Sequence, residues 1–243
     1  MKTFGLTGYP LGHSFSAEWF AEKFRSEGIE DARYINLPLE NINGLRQMVK
    51  DNDLAGFNVT FPHKQSIIPF LDEFSPEAIA IGAVNCVVNN SGRLKGYNTD
   101  WQGFSLSLER FIGKENIRAL VLGSGGSSKA VAYALSESGI DYTIISREKG
   151  KGISYHGLDE TVISSNLLIV NTTPLGMYPH INSKPGIPYN FLRPAHYLYD
   201  LVYNPPLTAF LSEGQKRGCH TKNGMEMLRL QAELSWKIFS ESL

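Results

Sequence analysis

The stretch GFNVTFPHK, residues 56–64, alternates apolar and polar side chains, meets a proline, and sets Lys64 just beyond it. Proline cannot donate to a sheet ladder, so strand pairing is expected to fail there and to leave Asn58, Thr60 and Lys64 near a strand's end. An ammonium held in place can give up and recover a proton when its surroundings bring its pKa towards the working pH. Other groups with usable chemistry lie in GYPLGHSFS (Ser14, Ser16), GAVNCV (Asn85) and GYNTDWQGF (Asp100). Hydroxyls just ahead of a helix, beside its free N–H groups, suit a carboxylate. Each residue also has a plain reading: a lone lysine is usually solvated, a serine caps a helix, and an Asp after Asn-Thr sits in a turn.

A second constellation is VLGSGGSSKA. Gly123 and Gly125 allow a tight turn and a close approach to a pyrophosphate, which would rest on the N–H groups of the helix that follows. The G-x-G-x-x-G pattern is incomplete, because its third position carries Ser128. Its context is the expected one, with a strand before, a helix after, and a second strand, DYTIIS. That strand ends on Ser146 and Arg147 where an NAD site carries an acid, and a guanidinium suits the 2′-phosphate of NADP. Glu148 stands beside Arg147, and Lys149 and Lys151 follow.

The elements that must position these groups alternate strand and helix. TFGLTG, RYINLPL and LAGFNVTF read as strands, with Phe57, Val59 and Phe61 on one buried face. SAEWFAEKFRSEG, NINGLRQMVKDN and DWQGFSLSLERFIG read as helices, and AVNCVVNNSGRLKGYNTD as a hairpin turning at NNSG. NLLIVNTTPLGM and HYLYDLVYNP supply two further strands. GMEMLRLQAELSWKIFSESL is one long helix with Met225, Leu228, Leu234 and Ile238 on one side. Between Arg147 and Leu167 only a shortened, irregular connection is expected.

The bulk numbers exclude whole classes. The 243 residues carry 23 Lys and Arg against 24 Asp and Glu, a formal charge of -1, which argues against nucleic-acid binding by bulk electrostatics. Two cysteines without metal-type spacing argue against a disulfide scaffold or a metal site and favour a reducing compartment. The absence of a signal-type apolar run and of a membrane-length segment makes a cytoplasmic protein the expectation.

In order, GYPLGHSFS, GFNVTFPHK, GAVNCV, GYNTDWQGF, GSGGSSKA, NTTPLGM, YDLVYNP and LRLQAE span essentially the whole chain. As a set they resemble the shikimate dehydrogenase (shikimate/quinate dehydrogenase) family. The resemblance implies an α/β substrate-binding and catalytic domain (1–101 and 225–243), a Rossmann-like NADP-binding domain (102–224), and a C-terminal helix returning to the first. It implies the reversible, NADP-dependent reduction of 3-dehydroshikimate to shikimate, a step of chorismate and aromatic amino acid biosynthesis. Lys64 and Asp100 would be the proton-transfer pair, and Ser14 and Ser16 would hold the substrate carboxylate. Asn58, Thr60, Asn85 and Gln231 would hydrogen-bond the substrate, with Tyr203 lying over it. NADP would be held at Gly123, Ser124, Gly125, Gly126 and Ser127, at Ser146 and Arg147, and at Thr172, Leu201, Gly224 and Met227. No metal, nucleic acid or membrane is implied, the partner is a small-molecule substrate, and the chain would work as a monomer or homodimer.

Three departures from the family pattern stand out. Ala17 replaces the usual Pro after the second serine, Ser146-Arg147-Glu148 replaces a frequent Asn-Arg-Thr, and the connection after Arg147 is short. His13 and His63 are assigned to packing or local hydrogen bonding. Two alternatives share the pattern: an NAD-using quinate/shikimate dehydrogenase, disfavoured by the lack of an acid ending DYTIIS, and a non-catalytic dinucleotide-binding regulator, disfavoured by the presence of both Lys64 and Asp100.

Overall fold

A computed structural model describes residues 1–11, 15–113, 115 and 117–241. The chain divides into two compact units, Met1–Thr99 with Ala232–Leu243, and Asp100–Gln231. Against boundaries of 1–101 and 225–243, the first break falls two residues earlier and the second seven residues later.

The first unit holds β1 (Lys2–Gly8), α1 (Phe15–Ser26), β2 (Ala32–Pro38), α2 (Leu45–Asp51), β3 (Leu54–Val59), β4 (Glu73–Phe74), α3 (Pro76–Ile81), β5 (Cys86–Asn90) and β6 (Arg93–Tyr97). These strands form one mixed sheet of order β2-β1-β3-β5-β6-β4. β2, β1 and β3 run parallel, and β5 and β6 are the expected antiparallel hairpin. Its two-residue turn, Ser91-Gly92, takes φ of 52° and 93°, which matches the twist of the flanking strands.

Both faces of this sheet are covered, as its parallel part requires. On one face Phe57 and Val59 join Leu37, Leu45, Ile67 and Val87. On the other Phe4, Phe20, Cys86 and Val88 meet Ala232 and Phe239. A Cβ on Gly56 would stand 2.8 Å from the Phe239 ring, so glycine there lets the last helix lie close against β3. The expected burial of Phe61 does not occur, and its side chain is 70% exposed. β3 stops at Val59, a turn follows immediately, and the period-2 alternation no longer applies to residue 61.

The second unit holds α4 (Asp100–Ile112), β7 (Ala119–Leu122), α5 (Gly126–Glu137), β8 (Tyr142–Ile145), α6 (Glu160–Ser165), β9 (Leu168–Asn171), β10 (Tyr197–Asp200), α7 (Ala209–Gln215) and β11 (His220–Lys222). Its five strands are all parallel, in the order β11-β10-β9-β7-β8. The chain order reverses between β7 and β9, the switch point at which ligands bind in open parallel sheets. The connection after β8 is short as expected: one bridge from Ile145 to Ile153, a single 3-10 turn at Tyr155–Gly157, and the six residues of α6.

The last helix, α8 (Met225–Glu241), belongs to the second unit up to Gln231 and to the first from Ala232. Its buried line is Met227, Gln231, Ala232, Ser235 and Phe239. The face expected from Met225, Leu228, Leu234 and Ile238 is only partly buried. Two polar residues in the buried line, Gln231 and Ser235, hide the true face from a hydrophobicity pattern.

Candidate functional site

In the first unit the turn after β3 is held at several points. The Thr60 N–H donates to the Thr7 carbonyl (2.8 Å) and the Tyr9 N–H to the Phe61 carbonyl (3.0 Å), which ties the turn to the end of β1. The His63 N–H donates to the Thr60 carbonyl (2.9 Å), and His63 Nε2 lies 2.5 Å from the Leu39 carbonyl. A carbonyl only accepts, so Nε2 carries the proton and His63 is a buried structural clamp. The Lys64 carbonyl accepts from the Val84 N–H (2.7 Å), fastening the backbone beneath the half-buried Lys64 side chain next to Asn85.

Asn85 and Asn58 form a buried network behind this turn. Asn85 Oδ1 accepts from the Thr99 N–H (2.7 Å) and its Nδ2 donates to Thr99 Oγ1 (3.0 Å). Asn85 thus fixes the residue that immediately precedes Asp100. Asn58 donates from Nδ2 to the Asn85 carbonyl (3.1 Å) and to Ser235 Oγ (2.8 Å), and accepts from the Tyr34 hydroxyl (2.9 Å). Ser235 Oγ also lies 3.1 Å from Thr99 Oγ1. Both amide hydrogens of Asn58 are therefore used inside the protein, and its place is behind Asn85. Ser16 is the second residue of α1 and half-buried, whereas Ser14 and His13 lie outside the described residues.

In the second unit Asp100 opens α4 and is buried, where the helix N-terminus favours a carboxylate. Gly103, one turn on, lets α8 come close: a Cβ there would stand 3.0 Å from both the backbone N and the Cβ of Gln231. Asp100 and Gln231 are thereby attached to the same stretch of α4. Met227 packs with Phe104, Leu108 and Tyr199 in the core of this unit.

The glycine turn joins β7 to α5. Gly123 has φ of 122°, and a Cβ on it would stand 2.6 Å from Thr172 Oγ1, which itself donates to the Leu122 carbonyl (2.7 Å). Ser128, at the missing third glycine, donates to the Gly123 carbonyl (2.7 Å) and latches the turn from within the helix. No side chain caps α5 at Gly125, and a Cβ there would meet nothing within 4 Å. An open approach to the helix N-terminus fits the pyrophosphate of a dinucleotide, with Ser124, Gly126 and Ser127 completing the turn. At the end of β8, Ser146 Oγ donates to Ser124 Oγ (3.1 Å) and Arg147 is exposed.

Sequence reasoning did not single out Asp200. It is buried at the end of β10, and its carboxylate accepts from Asn171 Nδ2 (2.9 Å), the Val202 N–H (3.0 Å) and Thr208 Oγ1 (2.6 Å). Burial pushes its pKa up to about 6, against the opposing pull of those three bonds. It orders the ends of β9 and β10, where Thr172, Leu201 and Tyr203 sit. A Cβ on Gly224 would collide with the Leu201 backbone, so those two residues are also in direct contact. A buried acid ending an apolar strand, YLYD, was the available signal. Among the described residues, no group of three or more His, Cys, Asp or Glu could hold a metal ion, and no helix is long and apolar enough to cross a membrane.

Fold and site together define a two-unit α/β protein, one unit carrying a dinucleotide-type glycine turn at a sheet switch point and the other a buried polar network around a lysine turn. A family model described as the shikimate dehydrogenase substrate binding domain matches residues 6–87. The shikimate dehydrogenase (NADP(+)) of Desulforamulus reducens is 37% identical over 264 residues, covering 97% of this chain and 89% of that protein. The crystal structure of shikimate dehydrogenase 1 from Peptoclostridium difficile superposes with a TM-score of 0.89 at 35% identity, covering 99% of this chain and 92% of that one. A Thermus thermophilus shikimate 5-dehydrogenase in complex with NADP(H) and shikimate gives 0.88 at 31% identity, covering 99% and 94%. The chain belongs to the shikimate dehydrogenase family.

Proposed function

We infer that this chain catalyses the NADP-dependent, reversible reduction of 3-dehydroshikimate to shikimate. The observation that carries the reading is near-full-length similarity to NADP-dependent shikimate dehydrogenases, joined to a polar set suited to a polyhydroxy acid. When bound, the dihydronicotinamide supplies a hydride to the ketone carbon. Lys64 gives a proton to the oxygen as that carbon is reduced, and takes it back in the oxidation direction. Asp100 holds the amine and accepts from a substrate hydroxyl.

Ser14 and Ser16 bind the carboxylate, Thr60, Asn85 and Gln231 bind hydroxyls, and Tyr203 lies over the substrate. Asn58, spent on Asn85, Ser235 and Tyr34, contributes by holding Asn85 in place. The glycine turn from Gly123 to Ser127 carries the pyrophosphate, Ser146 and Arg147 the adenosine end, and Thr172, Leu201, Gly224 and Met227 the nicotinamide half. Residues 1–101 and 225–243 serve the substrate, Met227 apart, and 102–224 serve NADP. Small molecules are the only partners required of a monomer or homodimer. Two buried free cysteines, Cys86 and Cys219, suit the reducing cytoplasm.

The test is oxidation of shikimate by the purified protein with NADP, followed by the absorbance of the reduced nicotinamide, with quinate as the competing substrate. The reading expects turnover with shikimate and a far lower kcat/KM with quinate. No turnover of shikimate with either NADP or NAD would refute it.

A further inference from the structure

At the adenosine end the geometry assigns a role to Glu148. Its Oε1 accepts from Ser124 Oγ (3.2 Å), inside the glycine turn, and its backbone N–H donates to Ser146 Oγ (3.0 Å) at the end of β8. With the Ser146–Ser124 bond, this closes a ring that spans the turn and the strand end. That is where the ribose of a dinucleotide bound at the switch point rests, and where an acid accepts from a 2′-OH. Although Glu148 lies three residues past β8, its carboxylate is folded back to the position that an acid at the strand's end would take.

We propose that Glu148 sets the choice between NADP and NAD, and that it admits NAD as a second cofactor. The inference rests on reading the chain as an NADP-dependent dehydrogenase. The carboxylate is held from both sides at once, Oε1 by Ser124 Oγ and Oε2 by Lys151 Nζ. On the Ser124 side it offers an acceptor to the free 2′-OH of NAD. On the Lys151 side, where Nζ lies 2.6 Å from Oε2, it is neutralised by a cation and opposes a 2′-phosphate less. Both partners of that ion pair are more than half exposed, so holding or releasing it costs little. The hydrogen bond from Lys151, its charge and the bond from Ser124 hold the Glu148 pKa below the usual carboxylate range, so the group stays anionic. Arg147 next to it favours the phosphate, so two residues of opposite sign compete over one ligand oxygen.

The test is calorimetric titration of the purified full-length protein with NADP and with NAD, repeated for Glu148→Gln and Lys151→Ala. Both side chains are exposed, so both variants should fold, and circular dichroism checks that they do. Wild type is expected to bind both dinucleotides with dissociation constants within about tenfold of each other. Glu148→Gln should tighten NADP about fivefold to tenfold and weaken NAD several-fold, and Lys151→Ala should weaken NADP alone. An unchanged NADP to NAD affinity ratio in Glu148→Gln overturns the proposal while leaving the NADP-dependent activity standing. Wild type that binds NADP but shows no NAD binding overturns it too. Failure to bind either dinucleotide overturns this proposal and the functional reading together.

Discussion

Asn58 and Ser128 show how a residue's type can be read from sequence while its job depends on what faces it. Asn58 looks like a substrate contact because it shares a motif with Thr60 and Lys64, yet its amide is turned towards Ser235, Tyr34 and the Asn85 carbonyl. Those partners come from three separate elements, Tyr34 from β2, Asn85 from the residue ahead of β5 and Ser235 from α8, which only the tertiary fold brings together. Asn58→Ala leaves the Ser235 and Tyr34 hydroxyls without this partner and should cost roughly 1–3 kcal/mol of stability. It should also raise the KM for shikimate more than the KM for NADP, because Asn85 loses its backing. Urea unfolding together with steady-state kinetics checks both parts, and equal effects on the two KM values would count against a supporting role. Ser128 reads as a defect in the glycine pattern, whereas its hydroxyl bonds the Gly123 carbonyl. Ser128→Ala should therefore weaken NADP binding by a few-fold, in line with the loss of one neutral hydrogen bond of roughly 1 kcal/mol.

Among the elements, the strand–turn–helix–strand run around the glycine turn, the β5–β6 hairpin and the shortened segment after β8 were all legible. Each rests on local rules: glycine and asparagine at turns, apolar runs in buried strands, and chain length between elements. What escaped were elements too short to show a period, namely β4, β11, α3 and α7, and the true buried face of α8. Gln231 and Ser235 lie on that face because each meets a polar or close-packed partner, a property of tertiary packing that no single-chain pattern carries. β3 likewise ended two residues before its alternation suggested, which left Phe61 on the surface. A prediction specific to the β7–α5 connection concerns Gly123. With φ at 122° and Thr172 Oγ1 in the way, Gly123→Ala has to shift the turn. Fluorescence titration should show NADP affinity reduced at least tenfold, while circular dichroism stays close to wild type. Undisturbed NADP affinity would mean that the turn does not carry the cofactor.

Three carboxyls with large shifts make the stability of the whole chain depend on pH, in opposite directions. Hydrogen bonds from Lys184 and Arg217 bring the Glu213 pKa down to about 2. Burial raises that of Glu226, but hydrogen bonds from Lys222, Arg110 and Ser107 outweigh it and also bring it to about 2. The stability from this pair is fully present above their ordinary value of 4.5 and is lost as the pH falls towards 2. Asp200 acts the other way, since a folded value near 6 against an ordinary 3.8 means that the folded state binds its proton more tightly. Its contribution is therefore greatest below about pH 4 and falls as the pH rises to 6. The loss across that window is on the order of 2–3 kcal/mol. Asp200→Asn should flatten this part of the profile, as read by urea unfolding at several pH values, and an unchanged slope would contradict the assignment.

The proposed chemistry depends above all on Lys64 as the proton donor and acceptor of a shikimate dehydrogenase. The most direct measurement is the kcat for shikimate oxidation with NADP in Lys64→Ala, taken alongside its dissociation constant for NADP. Loss of a positioned acid–base group predicts a fall in kcat of roughly 10²–10⁴-fold with NADP binding unchanged. Turnover within a few-fold of wild type would contradict it.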